Sequence, residues 1–451
     1  MQDLTSGSVT SHLLKTTSFM LVSMVFQTLY FLVDLYWVGR LGTDAVAAVA
    51  ISGNLMFVVL AATQMLGVGA TTLVSHAVGR KDRERANAVF NQAQGLSIIT
   101  GLGFFIVAFA GRRGFAGFMS ADAETTRQAI AYLNWMVPAM ALQFTMVAMG
   151  AALRGTGNFK PGMIVSTASV ILNMLAAPFL IFGWLTHHPF GVAGAAMSTL
   201  LSVAIASVWL TLYFLPPDSY LKFVPGDWRP DFTVWKQMLG IGLPAGAEFA
   251  LLAVYLFVVY IVSRPFGSAA QAGFGIGMRV VQAGFMPVVA LGFAVAPVAG
   301  QNFGARKADR VRLTFRAAAL MAAGVMIVFT VICRLLAAPM VGFFSSDTQV
   351  VAVGAEYLRI VCWTFAGSGI IYVGSSMFQA LGHTMPALVA SFCRIALVAV
   401  PAFIMSGMPG FQLRWIWYLS IAALIVQLTL NLLLLQREMR VRLAFAPVER
   451  T

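Results

Sequence analysis

Asp34 stands in the stretch YFLVDLYWVGRLG, residues 30 to 42, near the end of an apolar run that begins at Leu13. It falls about four residues short of the expected helix end, ~6 Å at 1.5 Å per residue, so its short carboxylate cannot reach water around a lipid-facing side. Facing lipid, an aspartate would cost roughly 2.5 to 3.5 kcal/mol at mid-bilayer, so it is expected to point into protein. Gln27, Phe31 and Asp34 follow i, i+4, i+7 spacing, which puts Gln27 and Asp34 on one helix face with Tyr30 beside them. Two chemistries suit such a group. Exposed to water it is a carboxylate that binds a cation, and desolvated it is favoured as the neutral acid, which makes it a switch. Alternatively it caps backbone groups of the GRLGTD turn. Ionisable groups inside spans mark ion and substrate pathways by default.

Glu248, in GLPAGAEFALLAVY, is the second buried acid, and Arg279 and Arg394 are basic residues within apolar segments. Together they make either a substrate-cavity lining or a structural ion pair, Glu248 with one of the two arginines. Glu356 and Arg359, three apart, are expected to neutralise each other locally. His187 and His188 have no third ligand nearby in sequence and are expected in a solvated turn, not on a metal. Cys333, Cys362 and Cys393 share no metal-like spacing and are expected to be small packing residues. The chain contains no GxxxxGK[ST] phosphate loop and no HExxH, so neither an ATP-driven pump nor a membrane enzyme is expected, and no cofactor.

These residues need a scaffold, and composition names it. Of 451 residues 59% are hydrophobic and 10% charged, with a mean hydropathy of +0.84. Soluble domains carry about 25% charged residues. Apolar runs of spanning length recur at 14–38, 45–73, 87–111, 128–152, 161–183, 192–215, 234–262, 268–300, 314–337, 350–380, 385–406 and 413–435. The first is too long for a cleaved leader and lacks a small-residue cleavage site, so it is expected to be retained. The net charge of +13 does not point to nucleic acid, because its distribution is topogenic. With the N-terminus in the cytoplasm, nineteen Lys and Arg fall inside and seven outside, so both termini are expected to be cytoplasmic.

The chain also repeats. At an offset of 225, LGTDAVAAVAI (41–51) falls on FGSAAQAGFGI (266–276), FMSAD (118–122) on FFSSD (343–347), Tyr132 on Tyr357, and Gly157 and Pro161 on Gly382 and Pro386. Six spans per repeat is even, so both copies enter the membrane alike. The expected fold is an all-α polytopic membrane protein, twelve transmembrane helices in two six-helix lobes related by a parallel internal repeat. Residues 1–215 form the first lobe, 216–232 a cytoplasmic linker, and 233–451 the second lobe with a basic tail.

The stretches LVDLYWVGRLGTDAVAAVAI, APVAGQNFGARKADRVR, ALRGTGNFKP and FQALGHTMP resemble signatures of the multidrug and toxin extrusion (MATE) transporters, and the likeness runs from about Leu14 to Gln436. The resemblance implies two bundles arranged as a V around a central cavity, exporting amphipathic, often cationic drugs in exchange for Na+ or H+. It also implies a first-lobe cation site of Asp34, Gln27, Tyr132 and Asn173. The family's second aspartate on span 5 is replaced by Ala177, and its frequent span 1 proline by a residue near Phe19. Its span 7 glutamate corresponds to a position near Leu252, so that role is not carried to Glu248. A sodium site needs several converging oxygens whereas a proton needs one carboxyl, so the coupling ion is expected to be H+ ahead of Na+. The expected protein is thus a monomeric antiporter of the bacterial inner membrane, in contact with small-molecule drugs and membrane lipids and with no nucleic acid. A lipid-linked substrate flippase, for which Arg279 and Arg394 would line a cationic groove, is the alternative, followed by a passive channel.

Overall fold

The computed structural model describes residues 1–184 and 187–445; the end of the basic tail with Arg450, and the two residues before His187, lie outside the described residues. The helices are α1 (Val9–Gly39), α2 (Thr43–Gly79), α3 (Arg83–Met119), α4 (Ala123–Gly155), α5 (Phe159–Phe182), α6 (Val192–Tyr213), α7 (Phe232–Ser263), α8 (Ser268–Gly304), α9 (Ala308–Gly342), α10 (Thr348–Val361), α11 (Phe365–Ala380), α12 (Met385–Ser406) and α13 (Arg414–Arg442). They supply twelve helices long and apolar enough to cross a membrane, because α10 and α11 join through a 3-10 turn at Cys362–Thr364 into one span.

The repeat governs the backbone. Helices α2 and α8 begin at Thr43 and Ser268 and end at Gly79 and Gly304, each pair 225 apart (268 − 43 and 304 − 79). The turns match as well. Lys81 and Arg306 both adopt left-handed backbone, φ 61° and 57°, as do Gly157 and Gly382. A left-handed L-residue costs roughly 1–2 kcal/mol. At Lys81 the cost is offset by closure of the helix end, where Lys81 N donates to Val78 O and Asp82 N to Ala77 O, at 2.9 and 3.0 Å. Arg306 and Lys307 repeat this on Phe303 O and Asn302 O.

The chain divides into two compact units, Met1–Asp3 with Ser18–Gly242, and Leu4–Thr17 with Leu243 onward. Helix α1 therefore starts in the second unit and α7 starts in the first, the changeovers Thr17 and Gly242 again lying 225 apart. In the first unit α4 buries Tyr132, Met140 and Phe144 against its neighbours. In lipid, helices associate through close packing of small residues. Gly69 fits that rule, since a Cβ there would lie 2.5 Å from the Met238 carbonyl. In the second unit Trp417 stacks on Phe274, ring centroids 5.5 Å apart, and meets Tyr357 edge-on at 4.8 Å.

Each unit holds the segment that leads into the other's first helix. Along α3, Asn87 and Asn91 accept from Lys222 N and Val224 N, while Gln92 accepts from Asp231 N and donates to Asp227 O and Arg229 O. These amides supply partners that an irregular backbone lacks. In the second unit Gln301 Oε1 accepts from Leu4 N, Asn302 donates to Leu4 O, Lys307 to Thr5 O, and Arg310 to Gly7 O. Leu4, Val9 and Leu13 then bury in that unit's core.

Candidate functional site

In the first lobe α1 delivers Asp34 and, one turn earlier, Tyr30. Asp34 is half-buried, and its Oδ1 atom is buried with no hydrogen-bond partner among the described residues. The Tyr30 hydroxyl meets Thr199 Oγ1 of α6 at 3.2 Å. Asn173 of α5 donates to the same Thr199 Oγ1 at 3.0 Å and to Ser198 Oγ at 3.3 Å. Tyr132 of α4 is buried in the same unit, at 4% exposed. Tyr30, Thr199 and Asn173, on α1, α6 and α5, thus form one hydrogen-bonded set that begins one helical turn from Asp34. Ala177, one turn past Asn173, is buried and contributes only a methyl group.

Gln27 does not join them. It is exposed on α1 and takes no part in this hydrogen-bond set. Helical spacing put it on Asp34's face, but at two turns' distance the face is broad, and Tyr30 at i−4 faces α6 instead. Nothing in the sequence marks Thr199 or Ser198. Hydroxyls in apolar helices usually bond their own backbone, as both also do to Ala195 O, so they carry no separate signal.

In the second lobe the acid is differently held. Glu248 Oε1 accepts from Ser375 Oγ of α11 at 2.9 Å and from Ser391 Oγ of α12 at 3.0 Å. Ser391 Oγ in turn accepts from Gln427 Nε2 of α13 at 3.1 Å, and Gln427 Oε1 accepts from Arg394 Nη1 at 3.3 Å. The Arg394 guanidinium lies 5.7 Å from the Tyr255 ring centroid, and its Nε is buried without a partner. The expected direct ion pair of Glu248 with Arg279 or Arg394 is therefore not formed. Ser391 and Gln427 stand between Glu248 and Arg394, and Arg279 is exposed on α8. Glu356 and Arg359 also do not pair; both are exposed, and among the described residues neither enters an ion pair. Three residues apart on a helix permits contact but does not compel it, because long side chains can adopt rotamers that diverge.

The comparisons with known proteins agree with this architecture. Residues 20–179 and 244–404 match the family model MatE, once in each half, with match ends 225 apart (404 − 179). The chain is 26% identical over 416 residues to the probable multidrug resistance protein YoeA of Bacillus subtilis, covering 91% of this chain and 90% of that one. It is 25% identical over 404 residues to the multidrug export protein MepA of Staphylococcus haemolyticus, covering 89% and 88%. Among solved structures it superposes on an outward-facing multidrug resistance MATE family transporter of the MOP superfamily with a TM-score of 0.90, at 23% identity and 98% coverage of both chains. A MOP superfamily transporter from Pyrococcus furiosus, described as having a binding pocket of reversed polarity, superposes with a TM-score of 0.89 at 23% identity, covering 97% and 98%. Those structural likenesses establish the fold, and the family match in both halves establishes descent: the chain is a multi-pass membrane protein belonging to the MatE family, transporters of the multidrug and toxin extrusion type and not enzymes.

Proposed function

We propose that the protein exports amphipathic, cationic compounds across the bacterial inner membrane in exchange for protons, with Asp34 as the group that takes up and releases the coupling ion. The names of the relatives, multidrug resistance and multidrug export, support the cargo class. The observation that carries the coupling role is the buried Asp34 Oδ1, which has no hydrogen-bond partner among the described residues. Such an atom must gain a donor, a cation or a proton, because an uncompensated buried charge costs several kcal/mol.

Several oxygens would have to converge for sodium, and the place where a second carboxylate would help is Ala177. A proton needs only the Asp34 carboxyl and a change in its solvation. Protonation from the periplasmic side neutralises Asp34 and lets α1 repack against α5 and α6, the movement that expels drug. Return to the inward-open state releases the proton to the cytoplasm, where both termini lie. Linkage then requires drug and proton to oppose each other's binding by the same factor.

Liposomes holding purified protein test this. An imposed pH gradient, acid on the periplasmic face, drives export of a cationic dye without sodium, and collapse of the gradient stops it. Export driven by a sodium gradient at clamped pH would overturn the proton assignment. The flippase reading rests on the basic groups Arg279 and Arg394; transbilayer movement of a lipid-linked oligosaccharide with no export of soluble dyes would favour it instead.

A further inference from the structure

The two lobes build one set of helix contacts with different chemistry. In the first, Ser23 of α1 meets Ser166 of α5 at 3.5 Å, and Ser169 of α5 donates to the Ser202 carbonyl of α6 at 3.0 Å. Each of these positions has a counterpart 225 residues on. Ser23 becomes Glu248, Ser166 becomes Ser391, Ser169 becomes Arg394 and Ser202 becomes Gln427. The contacts recur as Glu248 with Ser391 and Arg394 with Gln427. Four serines suffice to pack these helices in the first lobe, so packing does not require the acid and the guanidinium of the second.

Nor are those two charges spent on each other. A hydroxyl and an amide hold them apart, each end keeping unused capacity. Arg394 has five N–H donors, of which, among the described residues, one at Nη1 is engaged, while its Nε is buried and meets no acceptor there. Among the described residues Glu248 accepts both of its hydrogen bonds at Oε1 and none at Oε2. The Tyr255 ring beside the guanidinium gives an aromatic surface next to the cation. Opposite charges held apart by intervening side chains, each with unused hydrogen-bonding capacity, match a ligand that itself carries two separated opposite charges.

We propose that the second lobe holds a subsite for zwitterionic amphiphiles, in which Arg394 receives the carboxylate or other oxyanion and Glu248 receives the ammonium. The proposal rests on the export reading only in taking amphipathic organic ions as cargo. It adds that molecules with a net charge of zero are recognised by two points instead of one, and that the second lobe does the recognising while the first carries Asp34.

A xanthene dye available as a free carboxylic acid and as its methyl ester tests this, because the two differ by one charge on one scaffold. Binding to purified full-length protein in detergent at fixed pH is followed by fluorescence polarisation. Arg394→Gln is expected to weaken the acid about tenfold and leave the ester unchanged, Arg394→Lys to restore part of the loss, and Glu248→Gln to weaken both dyes. Equal effects of Arg394→Gln on acid and ester, or none on either, would overturn the subsite, with melting temperatures confirming that each variant is folded. Because no gradient is present, Asp34→Asn is expected to retain the acid-ester discrimination even if coupled export fails, which separates this inference from the export reading. A short-chain phosphatidylethanolamine added as competitor identifies the source: displacement of the acid dye in the parent but not in Arg394→Gln assigns the subsite to lipid headgroups as well as soluble zwitterions, and no displacement restricts it to soluble ones.

Discussion

Asp34 and Glu248 are both half-buried acids on the helix that opens a lobe, yet they do not occupy equivalent positions. The counterpart of Asp34 is Val259, fully buried, and that of Glu248 is Ser23. What the lobes share around them is aromatic: Tyr30 and Tyr255 are counterparts, each bonded to a hydroxyl on the lobe's last helix, Thr199 and Ser420. The backbone repeat has therefore been conserved in geometry while its polar content has moved. Among the described residues one lobe buries a carboxyl oxygen without a partner, and the other ties its carboxylate to two serines and, through Ser391 and Gln427, to a guanidinium. The first arrangement suits a group that changes charge, the second a pair of charges that stays.

The largest effect is expected at the acid with the orphaned atom. Asp34→Asn removes the charge with little change of volume, so proton-driven dye export in liposomes falls to the level of protein-free vesicles while the melting temperature is kept. Export in the Asn variant equal to the parent would erase the distinction between the lobes.

Glu248 sharpens the contrast in stability. Because no direct ion pair exists to break, Glu248→Gln, whose amide oxygen still accepts from Ser375 and Ser391, is expected to melt like the parent. Glu248→Leu leaves two hydroxyls without their acceptor and costs about 1–3 kcal/mol, read as a lowered denaturation midpoint. A large loss in the Gln variant would mean the charge itself holds the lobe together.

The segments entering α1 and α7 extend the comparison beyond the acids. Gln92→Ala removes three hydrogen bonds to the linker backbone, at 2.6, 2.6 and 2.9 Å, and should cost about 1–2 kcal/mol with faster amide exchange confined to residues 227–231. Arg310→Met should accelerate exchange at residues 4–7 in the same way, since its guanidinium reaches the carbonyls of Leu4, Ser6 and Gly7. If only one of the two segments loosens, the anchors are not equivalent.

The smallest effect concerns caps shared by both lobes. Asp122 accepts from the Thr125 backbone N–H and hydroxyl, both at 2.8 Å, and these bonds hold its carboxyl below the usual carboxylate range. Its contribution is full above that range and is lost as pH falls through the lowered value. Asp122→Ala should therefore lower the melting temperature slightly at neutral pH, with the gap to the parent closing under acid. A gap that stays constant with pH would remove the cap's electrostatic part.

Much of this was legible without coordinates, and for definite reasons. Apolar runs name helices in a bilayer because no other open structure satisfies its backbone there. The 225-residue offset survives in turn residues, since Gly157 and Gly382 both need left-handed backbone, φ 76° and 72°. Proline was a poorer guide. Pro138 lies inside α4, which stays α-helical throughout, while its counterpart Trp363 sits in the 3-10 turn that divides α10 from α11. Neighbouring helices can re-satisfy the bonds a proline frees, so tertiary packing and not the ring alone decides where a membrane helix breaks.

By itself the sequence determined the twelve spans, the repeat and the rarity of buried charge, because hydrophobicity, period and desolvation act locally along the chain. Only the tertiary structure decided what each charge meets. Gln27 and Tyr30 both lie near Asp34's face, and the neighbour α6 selected Tyr30 through Thr199. Glu248 and Arg394 are opposite charges in one lobe, and the placement of Ser391 and Gln427 between them keeps them apart. Which helices carry a residue's partners depends on contacts between distant segments, and no spacing within one helix encodes that.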